Sequence, residues 1–231
     1  MRSGFHQNGS APNFQGDCLT LCTCKHQMRS RVNLADWPGK WIAGLSGRAH
    51  SHWLIFLARV ESAHRSHVDL WLSLESSVRF AKSACRSTVG DLYEPKRQFS
   101  GVRRFDPEYY RPPIAGHVHE DAYRWKDDID YRLKSLKRRS NRIAPLLVGD
   151  RKLTFLWQRP SLCFAGNHHR DYHTWGSVAE FLGHLTVGAY SGAMNAAPVD
   201  CHSACVTLTQ DMPTGARQQS KDKTIVWNVD L

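Results

Sequence analysis

The chain has 231 residues, 41% of them hydrophobic, enough for one sizeable core with appendages. Its 31 lysines and arginines outnumber its 21 aspartates and glutamates, for a formal charge of +10. That balance favours polyanions, nucleic acid first and an anionic membrane surface second. The longest apolar stretch, Trp53 to Ala58, is far below the ~20 residues of a bilayer-spanning helix.

Residues 1–13 are rich in Gly, Ser, Asn and Gln and read as a mobile leader without an apolar signal core. With no secretory signal and an odd count of 7 cysteines, reduced thiols and a cytoplasmic location are the expectation. A short strand is predicted within Asp17–Cys24, then a polar connection ending in the turn signal Trp37-Pro38-Gly39. Lys40–Leu45 and His52–Glu61 read as strands. Residues 64–85 read as one helix with Val68, Trp71, Leu72, Leu74, Val78 and Phe80 on its apolar face.

Tyr93 to Ala122 is a long proline-containing stretch with Tyr93, Phe99, Phe105, Tyr109 and Tyr110, and a loop of that length is usually functional or mobile. Arg124–Arg139 reads as a helix with aspartates at its start and cations at its end, matching the helix dipole. Ile143–Val148 and Lys152–Trp157 read as strands joined in a hairpin across Gly149-Asp150-Arg151. Val178–Leu185 reads as a short helix, and residues 189–231 as an irregular tail with a late strand at Thr224–Val229. The expected fold class is α+β: a central bent, mostly antiparallel sheet or partly open barrel with two or more covering helices. The main unit spans residues 14–188.

Three constellations carry candidate chemistry. Cys18, Cys22, Cys24 and His26 alternate onto one strand face, but a strand spreads them too widely for one ion. Cys201, His202 and Cys205 are a distant partner cluster for zinc; buried thiols are the plainer reading, and no metal site is assigned. Lys25 and Arg29 would lower the Cys24 pKa if their charges lay close. Asn167-His168-His169-Arg170 offers imidazoles for acid–base work and a guanidinium fork for phosphate. His117, His119 and Asp121 share a face if extended, although a surface loop explains them as well. No phosphate-binding loop, dinucleotide glycine fingerprint, nucleophile elbow or zinc-deaminase pattern is present, which argues against the common enzyme classes.

Thr20, Leu21, Cys22, Cys24, Lys25 and Arg29 match the opening motif C-T-L-[AC]-x-C-K-P-x-I-R of the nucleotide-modification-associated domain family, second of its numbered types. Leu19, His26 and Met28 replace three of its positions. Gly39, Trp41 and Ile42 resemble its G-D-W-I, with Lys40 for Asp; Gly90, Asp91 and Tyr93 resemble its G-D-x-x-Y. Leu147–Asp150 with Phe155, and His169-Arg170, resemble later elements. The resemblance spans about residues 14–186 and implies association with DNA base modification in phages or bacteria, with DNA or a nucleotide as partner. It supplies no cofactor and no settled reaction.

Two classes stay open. An enzyme acting on a base or nucleotide would use Cys24 as nucleophile or thiol ligand and His169 as acid or base. Asp150 or Asp91 would orient the histidine, and Lys25, Arg29 and Arg170 would hold phosphate. A reader of modified bases would instead stack an extruded base on Trp37, Trp41 or Tyr93, with Trp53 a further candidate.

Overall fold

The structure is a computed structural model that describes residues 12–23, 25–46, 52–84, 92–111, 144–157, 161–164, 173–188 and 224–229. Strands are β1 (Thr20–Leu21), β2 (Trp41–Ser46), β3 (Leu54–His64), β4 (Leu146–Leu156), β5 (Leu162–Phe164), β6 (His173–Trp175), β7 (Leu185–Val187) and β8 (Thr224–Val229). Helices are α1 (His26–Arg29), α2 (His67–Ser73), α3 (Ser76–Ala84) and α4 (Val178–Gly183). The main sheet has the order β1-β4-β3-β2-β8-β6; β5 and β7 form a separate pair. β1, β4, β3 and β2 pair antiparallel and curl into a half-barrel, whereas β8 runs parallel to β2. This is the expected α+β class, and the late strand at Thr224–Val229 lies inside the sheet rather than beyond it.

Both faces of the sheet are buried, and strand alternation assigns the residues. Ile42, Phe56, Ala58, Val60, Leu147 and Leu156 pack with Phe14, Met28 and Trp37 on one side. Trp41, Ala43, Leu45, Leu57 and Phe155 pack with Val178 and Phe181 of α4 on the other. The ladder between β2 and β3 shifts so that Gly44 faces Phe56 and Leu45 faces Leu54, leaving Ile55 as an extra residue. Ile55 therefore joins the same core cluster as its neighbour Phe56, the signature of a bulge that bends the strand.

The expected hairpin at Gly149-Asp150-Arg151 does not form. Between the pairs Val60–Gly149 and Ala58–Thr154, β3 contributes Arg59 alone while β4 contributes Asp150 to Leu153. The turn chemistry is real: Asp150 Oδ1 accepts from Lys152 N at 2.9 Å, and Asp150 O from Thr154 Oγ1 at 2.6 Å. The chain does not reverse, because both flanks of the turn pair with the same strand. The result is a large bulge in one continuous β4.

The predicted helix over 64–85 is instead strand end, α2 and α3. Leu74 is extended and ends α2, and its N–H bonds Trp71 O. Ser66 caps α2 by accepting from Asp69 N at 3.3 Å. Leu72 of α2 and Phe80 of α3 are 43% and 77% exposed, while Val68, Leu70, Leu74 and Val78 are buried. Residues 93–111 form short 3-10 turns at Gly101–Phe105 and Pro107–Tyr109. The predicted helix over 124–139 lies outside the described residues.

A Cβ on Gly44 would run into the Phe56 ring. Gly44→Ala is expected to destabilise the fold by about 1–3 kcal/mol through overpacking. Urea denaturation measures it, and Phe56→Leu in the same chain should recover part of the loss.

Candidate functional site

Cys24, Asp91, His169 and Arg170 lie outside the described residues, as do Cys201 and Cys205. No group of three or more His, Cys, Asp or Glu side chains with metal-holding geometry occurs among the described residues. The other expected site residues divide between core and surface.

Arg29 is fully buried. Its guanidinium donates to Thr23 O at 3.1 Å, Pro145 O at 2.5 Å and Ala144 O at 3.3 Å. It joins the end of α1 to the chain entering β4. Trp37 is also fully buried, and its Nε1 donates to Arg29 O at 3.1 Å. Trp41 is fully buried in the other face of the sheet. Tyr93 is 2% exposed and packs beside His67, with ring centroids 4.8 Å apart. In this conformation none of these three rings presents a face for an incoming base, so their placement is that of core side chains. Trp53 is buried as well. Lys25 has φ +59° and is half-buried before α1. Asp150 lies in the β4 bulge, 3.9 Å from the Arg59 guanidinium. The described candidates thus have separate partners.

A second buried cation was not anticipated. Lys82 of α3 is 3% exposed. Its Nζ donates to Cys18 O at 2.7 Å and Asn13 Oδ1 at 3.0 Å, with Asn13 O and Thr20 Oγ1 both at 3.4 Å. These oxygens come from one tight loop closed by reciprocal Asn13–Thr20 backbone bonds of 2.8 Å, with Gly16 and Asp17 at positive φ. The same burial pushes the Cys18 thiol up, while the Lys82 charge opposes the shift. Cys18 is therefore a packed thiol rather than a reactive one.

Strand period 2 places Ser62 and His64 on one side of β3, where Ser62 Oγ is 3.0 Å from His64 Nε2. Ser73 Oγ lies 3.2 Å from the same nitrogen and donates to Leu70 O at 2.7 Å. Burial holds the imidazole below its ordinary value of 6.5, opposed by the Asp69 carboxylate. Asp69 is engaged by Ser66 Oγ at 2.6 Å and Arg104 at 3.4 Å.

The clearest surface constellation sits on residues 93–111. Arg97 and Arg103 are both exposed, and their guanidinium carbons lie 5.9 and 5.8 Å from the Tyr109 ring centroid. Phe99 backs that ring at 5.1 Å and packs edge-on against buried Tyr110 at 5.2 Å. Tyr110 Oη donates to Arg104 O at 2.6 Å, and Lys96 N to Tyr109 O at 2.9 Å. The aromatic ring is thereby held in a pinned loop. Other arginines nearby are matched by acids: Arg104 by Asp69, and Arg111 by Glu94 at 3.4 Å. Arg97 and Arg103 have no carboxylate at ion-pair distance among the described residues. The readable signal was the interleaving of Lys96-Arg97 and Arg103-Arg104 with Phe99 and Tyr109, inside a segment already marked by its length.

Comparison with protein families, with curated proteins and with solved structures finds no match. No helix among the described residues is long and apolar enough to cross a membrane.

Arg29→Ala leaves three buried carbonyls without their donor and is expected to cost about 2–5 kcal/mol of stability. The salt dependence of any DNA binding should be unchanged in the folded variant. A flattened salt slope with stability intact would place this guanidinium on phosphate instead.

Because burial lowers the His64 pKa, the folded state binds fewer protons than the unfolded chain on mild acidification. Its contribution is complete above about 6.5 and is lost as pH falls through the lower folded value. His64→Asn should therefore reduce the fall in stability between about pH 7 and 5. Equal pH slopes for both proteins would contradict this.

Proposed function

We propose that this chain is a cytoplasmic, nucleic-acid-directed protein, acting on DNA or a nucleotide in a base-modification system. The observation that carries the reading is the Arg97–Tyr109–Arg103 cluster on a chain of formal charge +10. Two exposed guanidiniums, with no carboxylate at ion-pair distance among the described residues, supply phosphate attraction, and a backed ring beside them supplies a surface for bases. The base-modification part rests on the motif resemblance through Thr20 to Arg29.

Recognition is the part of this reading that the described surface supports, because it offers guanidiniums beside an aromatic ring. Asp150 is a turn residue beside Arg59. The reader role moves from Trp37, Trp41 and Tyr93, which are packed inside, to exposed Arg97 and Arg103 and half-buried Tyr109.

The test is equilibrium binding of the full chain to labelled DNA across a salt series, with modified and unmodified bases. Log affinity should fall linearly with log salt. Arg97→Ala with Arg103→Ala should reduce that slope by about 1.4–1.8, the release expected for two phosphate contacts. A slope identical in wild type and double variant sinks the assignment of this surface. A preference for modified bases would support the base-modification role, and indifference to them would remove it.

A further inference from the structure

We infer that the Arg97–Tyr109–Arg103 surface takes single-stranded nucleic acid, stacking an unpaired base against the ring and its guanidinium planes. The inference rests on the nucleic-acid reading above and narrows it to a strand class.

The argument starts from what the surface can offer. A duplex presents phosphates and groove edges, and its base faces are covered by neighbouring pairs. Attraction to a duplex would need cations alone, in any arrangement on the surface. Here two exposed cations are gathered at one aromatic ring instead of being spaced along a groove, at 5.9 and 5.8 Å from its centroid. Planar guanidiniums and aromatic rings are the groups on which unstacked bases lie.

Pre-organisation is the second part. Phe99 packs behind Tyr109, and reciprocal strand-like bonds hold the loop: Lys96 N to Tyr109 O and Arg111 N to Glu94 O, each 2.9 Å. Lys96 Nζ adds a bond of 2.7 Å to Glu108 O. A fixed ring loses little freedom on binding. The exposed Val102, at 73%, adds an apolar neighbour within the same turn as Arg103. The local acids are largely engaged: Glu94 pairs Arg111, Asp69 pairs Arg104, and Asp106 accepts from Glu108 N at 3.0 Å. The exposed Glu108 carboxylate, next to Tyr109 in the chain, opposes phosphate on its side. Two guanidiniums face that one charge.

The experiment is fluorescence anisotropy of the full chain with labelled oligothymidylate, oligouridylate and a mixed-sequence DNA duplex of equal length, at low and high salt. The expected result is single-strand binding about tenfold tighter than duplex binding, with the difference persisting at high salt. Tyr109→Ala should weaken single-strand binding by about 5- to 100-fold, the worth of one stacked base, and leave duplex binding nearly unchanged. Tyr109→Phe should retain it. Arg103→Lys, on an exposed side chain, keeps the charge but removes the planar group, so it should lower the single-strand preference without changing the salt slope. This variant carries the test if Tyr109→Ala fails to fold. Comparison of the two single strands reports the joint effect of the 2′-hydroxyl and the thymine methyl group. Equal binding to strand and duplex, insensitive to Arg103→Lys and Tyr109→Ala, overturns the inference and leaves the broader reading standing. Binding to none of the three probes overturns both.

Discussion

Two cations inside the protein hold its amino-terminal segment to the sheet, and the short strand β1 depends on them. β1 contributes only the pairs Thr20–Val148 and Leu21–Leu147, too few for a strand to persist on its ladder alone. Lys82 grips the loop before it through Asn13, Cys18 and Thr20. Arg29 grips the chain after it and, through Ala144 and Pro145, the entry to its partner β4. The oxygens named here are neutral carbonyl, amide and hydroxyl groups, and the two buried cations fix them in place. Removing either cation would take a donor from buried carbonyls, and the sheet edge would lose one of its two anchors.

This arrangement explains what could be read from residues 14–29 and what could not. The alternation of apolar residues and thiols around Leu19 to Cys22 does mark a strand buried on both sides. That Arg29 closes backbone carbonyls rather than meeting phosphate is decided by Ala144 and Pro145, more than a hundred residues away. No local pattern carries that information. Lys82 was invisible for the same reason: on its own helix it is one basic residue near a carboxy-terminal end, the ordinary place for a solvated lysine. The tryptophans show the opposite case. Trp37 precedes Pro38-Gly39 and Trp41 begins β2, so their local settings suit either core or pocket. Burial on opposite faces of one sheet settles them as packing residues.

The strands were legible where period and turn agreed and misread where the turn alone spoke. Lys40–Leu45 and Thr224–Val229 were placed within one residue, and β8 even though nothing local predicts its parallel partner. Gly149-Asp150-Arg151 has the composition of a reversal, and Asp150 does organise a turn through Lys152 N and Thr154 Oγ1. Whether such a turn reverses the chain depends on what lies beside it. β3 is long enough, from Leu54 to His64, to pair with both flanks, so the turn becomes a bulge. Together with the shifts at Ile55 and near Glu61, it converts a flat ladder into the curled half-barrel.

The charge excess of the chain is therefore not uniform in meaning. Arg29 and Lys82 are interior and unavailable to any polyanion. Arg59, Arg104, Arg111 and Arg151 lie against Asp150, Asp69, Glu94 and Glu75, and each pair presents little net field to a partner. Arg97 and Arg103 differ in the kind of neighbour they have. A carboxylate neutralises a guanidinium, but an aromatic face attracts it through a quadrupole and leaves its full charge in place. The ring also limits the rotamers of both side chains, so the charges are positioned before anything binds. Arg97 and Arg103 combine exposed charge with a fixed aromatic neighbour, and that is why the proposed recognition surface is placed on residues 93–111 rather than on the more distinctive motif at Thr20 to Arg29.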